Sequence, residues 1–332
     1  MDFYNIPGDT GGDWRLNKFI EYQHFAPAID PITNSLYAQK HRFSESECIL
    51  LAWYHSSTYC EITAIWLTQA FDFYNPSPEY LINFWNKYKS VMRFGSARRY
   101  AKNMDWFPCL IEQFQDKTYK EPDSWLYRIA GTGSPKEHYR HIENELKSWK
   151  YMGRFSIDLF LEALIAFSKI GLMELSLEIP EYDWKNCSNL TSGLLNIMYK
   201  DEEANEFDRT GKLDISQDKL DKLVYKIYAE VQKMYPNQGI DIVSVVNKIC
   251  SFRNLFKGTR YGGFHSDRQL ENLKAYQKSL PEFGYIWDEI FGIRKESFPK
   301  HMLGELNDWN GIRKERKKLW LERGLTGVEI GS

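Results

Sequence analysis

Ser44 to Asn75, SESECILLAWYHSSTYCEITAIWLTQAFDFYN, reads as two consecutive helices and decides the class of the whole chain. Ser44 followed three residues later by Glu47 is a capping-box pattern, in which the hydroxyl and the carboxylate each satisfy a free backbone N–H at a helix start. Ile49, Leu50, Trp53 and Tyr54 then recur at the spacing of one helical face, so a helix from about Glu45 to Ser56 is expected. Thr58 opens a second, with Ile62, Ile65, Trp66 and Ala70 as its apolar stripe and Asn75-Pro76 as its stop. Ser77-Pro78-Glu79 begins a third, proline being accepted in a first helical turn.

The same period continues outward. Helices are expected over 123–129 and 136–149, joined by Gly131-Thr132-Gly133-Ser134-Pro135. That joint lacks the G-x-x-x-x-G-K-[ST] spacing that surrounds a phosphate, and reads as a turn. Ser156 to Ile170, capped by Ser156 and stopped by Gly171, carries Leu159, Phe160, Ala163, Leu164 and Phe167 on one face. Ser216 to Met234 is a long amphipathic helix, and further helices are expected over 241–256, 266–278, 283–291 and 311–323. Strict apolar/polar alternation is scarce and no long repeat occurs. The expected class is all-α. Residues 1–40 read as an irregular arm with a short helix near Trp14 to Tyr22, and 41–332 as one helical catalytic domain with lobes of roughly 41–150 and 151–332.

The 332 residues can bury a sizeable core, while a net charge of -2 excludes a uniformly basic coat and leaves nucleic-acid contact to local patches. Aromatic residues make up 16% of the chain, enough for stacking surfaces as well as a core. Five cysteines, odd in number and without a C-x-x-C pair, are expected to be reduced in a cytoplasmic protein with no zinc site. The N-terminus lacks the basic start and apolar run of a secretory signal, and no run is long enough to span a bilayer.

Two basic patches stand out. Lys87 to Asn103 holds Lys87, Lys89, Arg93, Arg98, Arg99 and Lys102 without one acid, and Phe94 and Tyr100 lie among them. It is either a solvated helix face or a surface that neutralises a phosphate backbone while its rings stack on bases. Cys250 to Leu270, CSFRNLFKGTRYGGFHSDRQL, places Arg253 and Lys257 four apart at the end of one helix. Arg260, Tyr261 and His265 follow on a glycine-bearing loop before a helix starting at Ser266 or Asp267. The plainer reading is a helix-to-helix connector in which Asp267 caps the second helix. No H-E-x-x-H, G-x-S-x-G or G-x-G-x-x-G site is present. What remains is arginine-based phosphate recognition without a bound metal or cofactor, with His265 and Asp267 as the acid/base candidates.

In order, W-Y-x-x-x-T-Y (Trp53 to Tyr59), R-F-G-S-A-R-R-Y (Arg93 to Tyr100), G-R-F (Gly153 to Phe155), S-G (Ser192-Gly193) and C-x-F-R-N-x-x-x-G-x-R-Y-x-G-x-x-x-D-R (Cys250 to Arg268) resemble the phage DNA-hypermodification proteins. These are the amino acid:DNA transferases, or α-glutamyl/putrescinyl thymine pyrophosphorylases, and the related helical domain of 5-hydroxymethyluracil DNA kinases. The resemblance implies a helix-hairpin-helix DNA glycosylase-like fold with a cleft between two helical lobes. It implies a transferase that replaces the pyrophosphate of 5-(pyrophosphoryloxymethyl)uracil in DNA with an amine, an amino acid or a polyamine, in the cytoplasm of the infected bacterial host. The chain has no P-loop, which leaves the kinase step outside it, and no evident L-P-G-x-G hairpin.

With that chemistry, Arg253, Lys257, Arg260 and Arg268 are expected to meet the charge of the departing pyrophosphate, and Asp267 or His265 to deprotonate the amine. Arg154 is expected to hold a phosphate or the carboxylate of an amino-acid substrate. An extruded base is expected to meet Trp53, Tyr54, Tyr59 or Tyr261, with Arg93, Arg98, Arg99 and Tyr100 on the DNA. For Trp53 and Tyr54 the alternative is packing in the helix core. A base-excising glycosylase or lyase and a nonenzymatic nucleic-acid-binding protein are the rival functions; none of the three needs a membrane.

Overall fold

The computed structural model describes residues 15–17, 19, 20, 42–74, 77–95, 98, 106–180, 193, 194, 197, 216–236, 240, 242–256 and 264–297, with the side chains of 217, 243, 251–256, 264–267 and 293–297 excepted. Among them are eleven α-helices and one 3-10 turn, and no strand. The protein is all-α. In chain order the helices are α1 (Glu45–Thr58), α2 (Glu61–Ala70), α3 (Pro78–Tyr88), α4 (Trp106–Thr118), α5 (Pro122–Ala130) and α6 (Pro135–Lys147). Then follow α7 (Arg154–Lys169), α8 (Gln217–Met234), α9 (Ile242–Phe256), α10 (Phe264–Ser279), the 3-10 turn Pro281–Phe283 and α11 (Gly284–Ser297).

The chain forms two compact units. One is drawn from 35–181 and 269–294, and the other from segments within 1–34, 182–268 and 295–332. In the first, α1 is the hub and packs against α2, α5 and α7. Its capping box is formed, the Ser44 side chain accepting from the Glu47 amide and the Glu47 carboxylate accepting from the Ser44 amide. Every residue from Cys48 to Thr58 is buried, including the polar run His55 to Thr58. A helix surrounded on all sides needs its polar groups bonded locally: Ser56 Oγ donates to Trp53 O at 2.8 Å and Thr58 Oγ1 to Tyr54 O at 2.7 Å.

The core beside α1 is aromatic. Trp53 stacks on Phe114 at 4.4 Å and meets Trp149 and Phe160 edge-on at 5.4 and 5.9 Å. Trp66 stacks on Phe84 at 5.7 Å and lies edge-on to Tyr88 at 5.2 Å. Such pairs add about 0.5–1.5 kcal/mol each beyond the area they bury. In the second unit α8 packs on α9. Leu220, Leu223, Val224, Ile227 and Val231 of α8 are buried as their spacing predicts. Arg15, Phe19 and Ile20, within the expected N-terminal helix, are helical and buried.

Several expected boundaries move. Helix α1 runs to Thr58 and α2 starts at Glu61, because Tyr59 takes a left-handed backbone (φ 47) that ends one helix and redirects the chain into the next. Helix α7 starts at Arg154 on the N-cap Gly153, so Ser156 is not its cap. Helix α10 starts at Phe264, which puts His265 in its first turn rather than on the loop and Asp267 inside it rather than at its cap. Helix α4 has no sequence-based counterpart: Pro108 obscures its period, yet lies in the first turn, where a missing N–H costs nothing. Gly131-Thr132-Gly133-Ser134-Pro135 is a turn ending in a second capping box, Ser134 with Glu137. The expected helix over 311–323 lies outside the described residues.

Candidate functional site

Parts of three of the sequence words quoted above meet at one side chain, Arg98. Its amide donates to Gly95 O at 2.8 Å. The guanidinium Nη2 donates to Ser56 O at 3.4 Å and to Ser156 Oγ. Its carbon lies 5.9 Å from the Trp106 ring and 5.8 Å from the Phe155 ring. Arg98 is 7% exposed. A guanidinium this deeply placed is tolerated where its N–H groups have acceptors and its faces meet aromatic rings.

The chain just before Arg98 is fixed at two points. At Arg93, the backbone N–H donates to Tyr276 Oη at 2.8 Å, and the carbonyl accepts from Thr63 Oγ1 at 2.7 Å. Thr63 Oγ1 and Tyr276 Oη are 2.6 Å apart. Since the Thr63 proton goes to Arg93 O, the phenol supplies the proton of that last bond and the ring of three hydrogen bonds closes. Burial pushes the Tyr276 phenol far above its ordinary range, so it stays a donor. At Gly95, the amide donates to Thr58 O at 2.8 Å. A Cβ there would stand 2.4 Å from Tyr59 O, so only glycine lets the two backbones approach this closely.

Tyr59 is half-buried, with its ring edge-on to Phe155 at 5.1 Å and 6.1 Å from His55. Phe155 is 44% exposed and can be reached from solvent. Arg154, exposed at the first position of α7, pairs with Asp158 at 3.7 Å. The cap of α7 has no side-chain acceptor, so the positive end of its dipole stands at this corner beside Arg98 and the Arg154–Asp158 pair. The chemistry available is anion attraction beside accessible aromatic rings.

Other expected site residues fall elsewhere. Trp53 and Tyr54 are fully buried in the aromatic core, where neither ring has a face for a base. The basic patch is no helix face over its described part, since α3 ends at Tyr88 and residues 92–95 form a loop. Arg93 serves through its backbone, and Phe94 is buried. Arg268 is half-buried on α10. Arg253 lies on α9, and His265 and Asp267 on α10, with side chains outside the described residues. Arg99, Tyr100, Lys257, Arg260 and Tyr261 are also outside them.

Sequence reasoning passed over Ser56, Ser156, His55 and Glu61. Ser156 looks like a cap because it stands near a helix start, but its hydroxyl takes the Arg98 proton instead. Glu61, buried in the first turn of α2, is a carboxylate where a helix dipole favours one, and His55 is buried one turn before Tyr59. Nothing in their spacing marks either.

In the other unit Gly193 packs against α9. A Cβ on Gly193 would stand 2.0 Å from Ile249 O, so the backbone at 193 lies directly on α9 one residue before Cys250. Among the described residues no group of three or more His, Cys, Asp or Glu side chains could hold a metal, and no helix is long and apolar enough to cross a membrane. No family model, curated protein or solved structure matches this chain.

Proposed function

We propose that this chain is a phage DNA-hypermodification transferase, which displaces pyrophosphate from 5-(pyrophosphoryloxymethyl)uracil in DNA with an amine, on a glycosylase-like helical fold. The observation that carries the reading is the meeting of W-Y-x-x-x-T-Y, R-F-G-S-A-R-R-Y and G-R-F at Arg98. Ser56, inside the first word and 42 residues from Arg98, accepts from its guanidinium through the backbone, Phe155, which ends the third, lies 5.8 Å from its carbon, and Ser156, the residue after that word, accepts as well. Parts of three of the words therefore stand around one guanidinium.

In the proposed reaction the amine nitrogen attacks the exocyclic methylene carbon. The C–O bond to pyrophosphate breaks with its electron pair on oxygen, and the nitrogen gives up one proton. Pyrophosphate leaves readily only when its charge is met, the role assigned to Arg253, Lys257, Arg260 and Arg268. Asp267 or His265 receives the amine proton. Tyr59 and Phe155 supply ring surface for a base drawn from the stack, and Arg98 holds those rings in place. Arg154 takes an amino-acid carboxylate, which must displace Asp158 to bind.

The test is direct. Incubate the protein with DNA carrying 5-(pyrophosphoryloxymethyl)uracil and a pool of amines, digest, and weigh the nucleosides. An aminated thymidine supports transfer. An abasic site supports base excision instead, and unchanged DNA held tightly supports a binding protein; either overturns the proposal.

A further inference from the structure

The ring of hydrogen bonds with Thr63 and Tyr276 uses the backbone of Arg93 and leaves its guanidinium out. Of the described arginines in this unit, three are wholly or partly withdrawn from solvent: Arg42, Arg93 and Arg98. Arg42 pairs with Glu289 at 2.7 Å, and Arg98 has Ser56, Ser156 and two aromatic rings. The Arg93 side chain has no hydrogen bond or ion pair among the described residues, and its Nε is buried without an acceptor. The residue as a whole is half-buried, so the outer fork of the guanidinium stays open to solvent. A cation that has lost part of its hydration and meets no acceptor contributes nothing to stability.

The surroundings favour an anion. Between Glu79 and Asp105 the chain carries Lys87, Lys89, Arg93, Arg98, Arg99 and Lys102 and no acid. Lys89 Nζ donates to Asn86 Oδ1 at 3.0 Å and Lys87 lies 4.8 Å from the Tyr88 ring, with Glu282 acting on Lys87 from further off. The Arg93 charge is felt at the Tyr276 phenol, where it opposes the upward push of burial. Its peptide groups are held on both sides by buried partners, so the side chain springs from a fixed base. Two residues on, Gly95 lies against Tyr59, and two residues span at most about 7 Å. Arg93 is therefore a neighbour of the Tyr59 and Phe155 rings.

We infer that the Arg93 guanidinium receives a phosphoryl oxyanion beside the Arg98 corner. A planar fork takes two oxygens of one phosphoryl group at once, a match that a lysine in its place would not reproduce. Two sources carry that chemistry in the proposed reaction, the backbone phosphate next to an extruded base and the departing pyrophosphate. Naming those sources rests on the proposed function; the anion site itself rests on the side chain, its missing acceptor and the acid-free segment around it.

Arg93→Gln removes the charge and leaves the backbone bonds to Thr63 and Tyr276 in place. It is expected to melt at or above the wild-type temperature; a clear fall would make Arg93 a structural residue and overturn the inference. Two probes then read binding without turnover, an unmodified fluorescent DNA duplex and inorganic pyrophosphate. If the ligand is a backbone phosphate, Arg93→Gln loses about ten- to a hundred-fold in duplex affinity, and the slope of log affinity against log salt becomes shallower by about 0.9. Arg93→Lys keeps that slope and loses only part of the affinity. If the ligand is pyrophosphate, the loss appears in its titration and duplex binding is unchanged. Equal affinities of wild type and Arg93→Gln for both probes, or a wild-type protein that binds neither, would each overturn the inference. An Arg93 effect on either probe in a protein that makes no aminated nucleoside would keep the anion site and sink the transferase reading.

Discussion

Replacing Gly95 by alanine isolates the closest backbone approach at the Arg98 corner. The added methyl would stand 2.4 Å from Tyr59 O, 2.6 Å from Tyr59 Cδ1 and 2.8 Å from Tyr59 Cβ, all inside the distance real side chains adopt. A ring can swing aside, but the Tyr59 carbonyl belongs to a left-handed residue fixed between α1 and α2. Gly95 itself has no positive φ, so the clash is the only penalty. Overpacking of this kind costs about 1–3 kcal/mol. For a unit of this size each kcal/mol lowers the melting temperature by about 2–4 °C, giving a fall of about 2–12 °C.

The damage should not stop at stability. Opening the 95–59 contact also strains the Gly95 to Thr58 hydrogen bond and draws Arg98 and Phe155 out of register. The proposed transfer should therefore fall at temperatures where the variant is still folded. Gly292→Ala is the control, since a Cβ there meets nothing within 4 Å and alanine favours a helix interior. It should melt unchanged or up to a few degrees higher. Thermal melts by circular dichroism, with turnover measured well below both transitions, give both readouts. A Gly95→Ala protein that melts with the wild type would refute the close-packed account of this corner.

Trp53→Ala should cost about 3–5 kcal/mol by opening a cavity against Phe114, Trp149 and Phe160, measured by urea unfolding; a near-neutral change would return Trp53 to the list of base-binding residues. Tyr276→Phe breaks the ring of hydrogen bonds at Arg93 and leaves two buried groups short of a partner, for a loss of about 1–3 kcal/mol, and wild-type stability would mean water replaces the phenol. Burial, with Glu47 and Glu45 alongside, pushes the Cys48 thiol up to about 12 from an ordinary 9.0. Its folded pKa is the higher one, so its contribution is complete below about pH 9 and is lost as pH rises towards 12. Stability measured over that range should fall less steeply in Cys48→Ala, and identical slopes would remove Cys48 as the cause.

The helical class was legible because capping boxes and 3.6-residue periodicity are local signals, as at Ser44 and Glu47. Helix α4 escaped because its proline breaks the pattern a reader looks for, although the first turn tolerates it. Tyr59 shows the limit of propensity: a tyrosine gives no hint of the left-handed backbone that ends α1 and turns the chain into α2. Arg98 could be marked as a cation in a basic patch, but its burial depends on Ser56 and Ser156, which lie far away in the chain. Trp53 and Tyr54 read equally well as core or as platform from spacing alone, and the ring neighbours decide for the core.

The central claim concerns pyrophosphate, and its release can be followed directly. DNA bearing 5-(pyrophosphoryloxymethyl)uracil is mixed with the protein, with and without an amine pool, while free pyrophosphate and aminated nucleoside are both quantified. The account predicts pyrophosphate only when the amine is present, in one-to-one ratio with the new nucleoside. Release without an amine, or an aminated product without pyrophosphate, would contradict it.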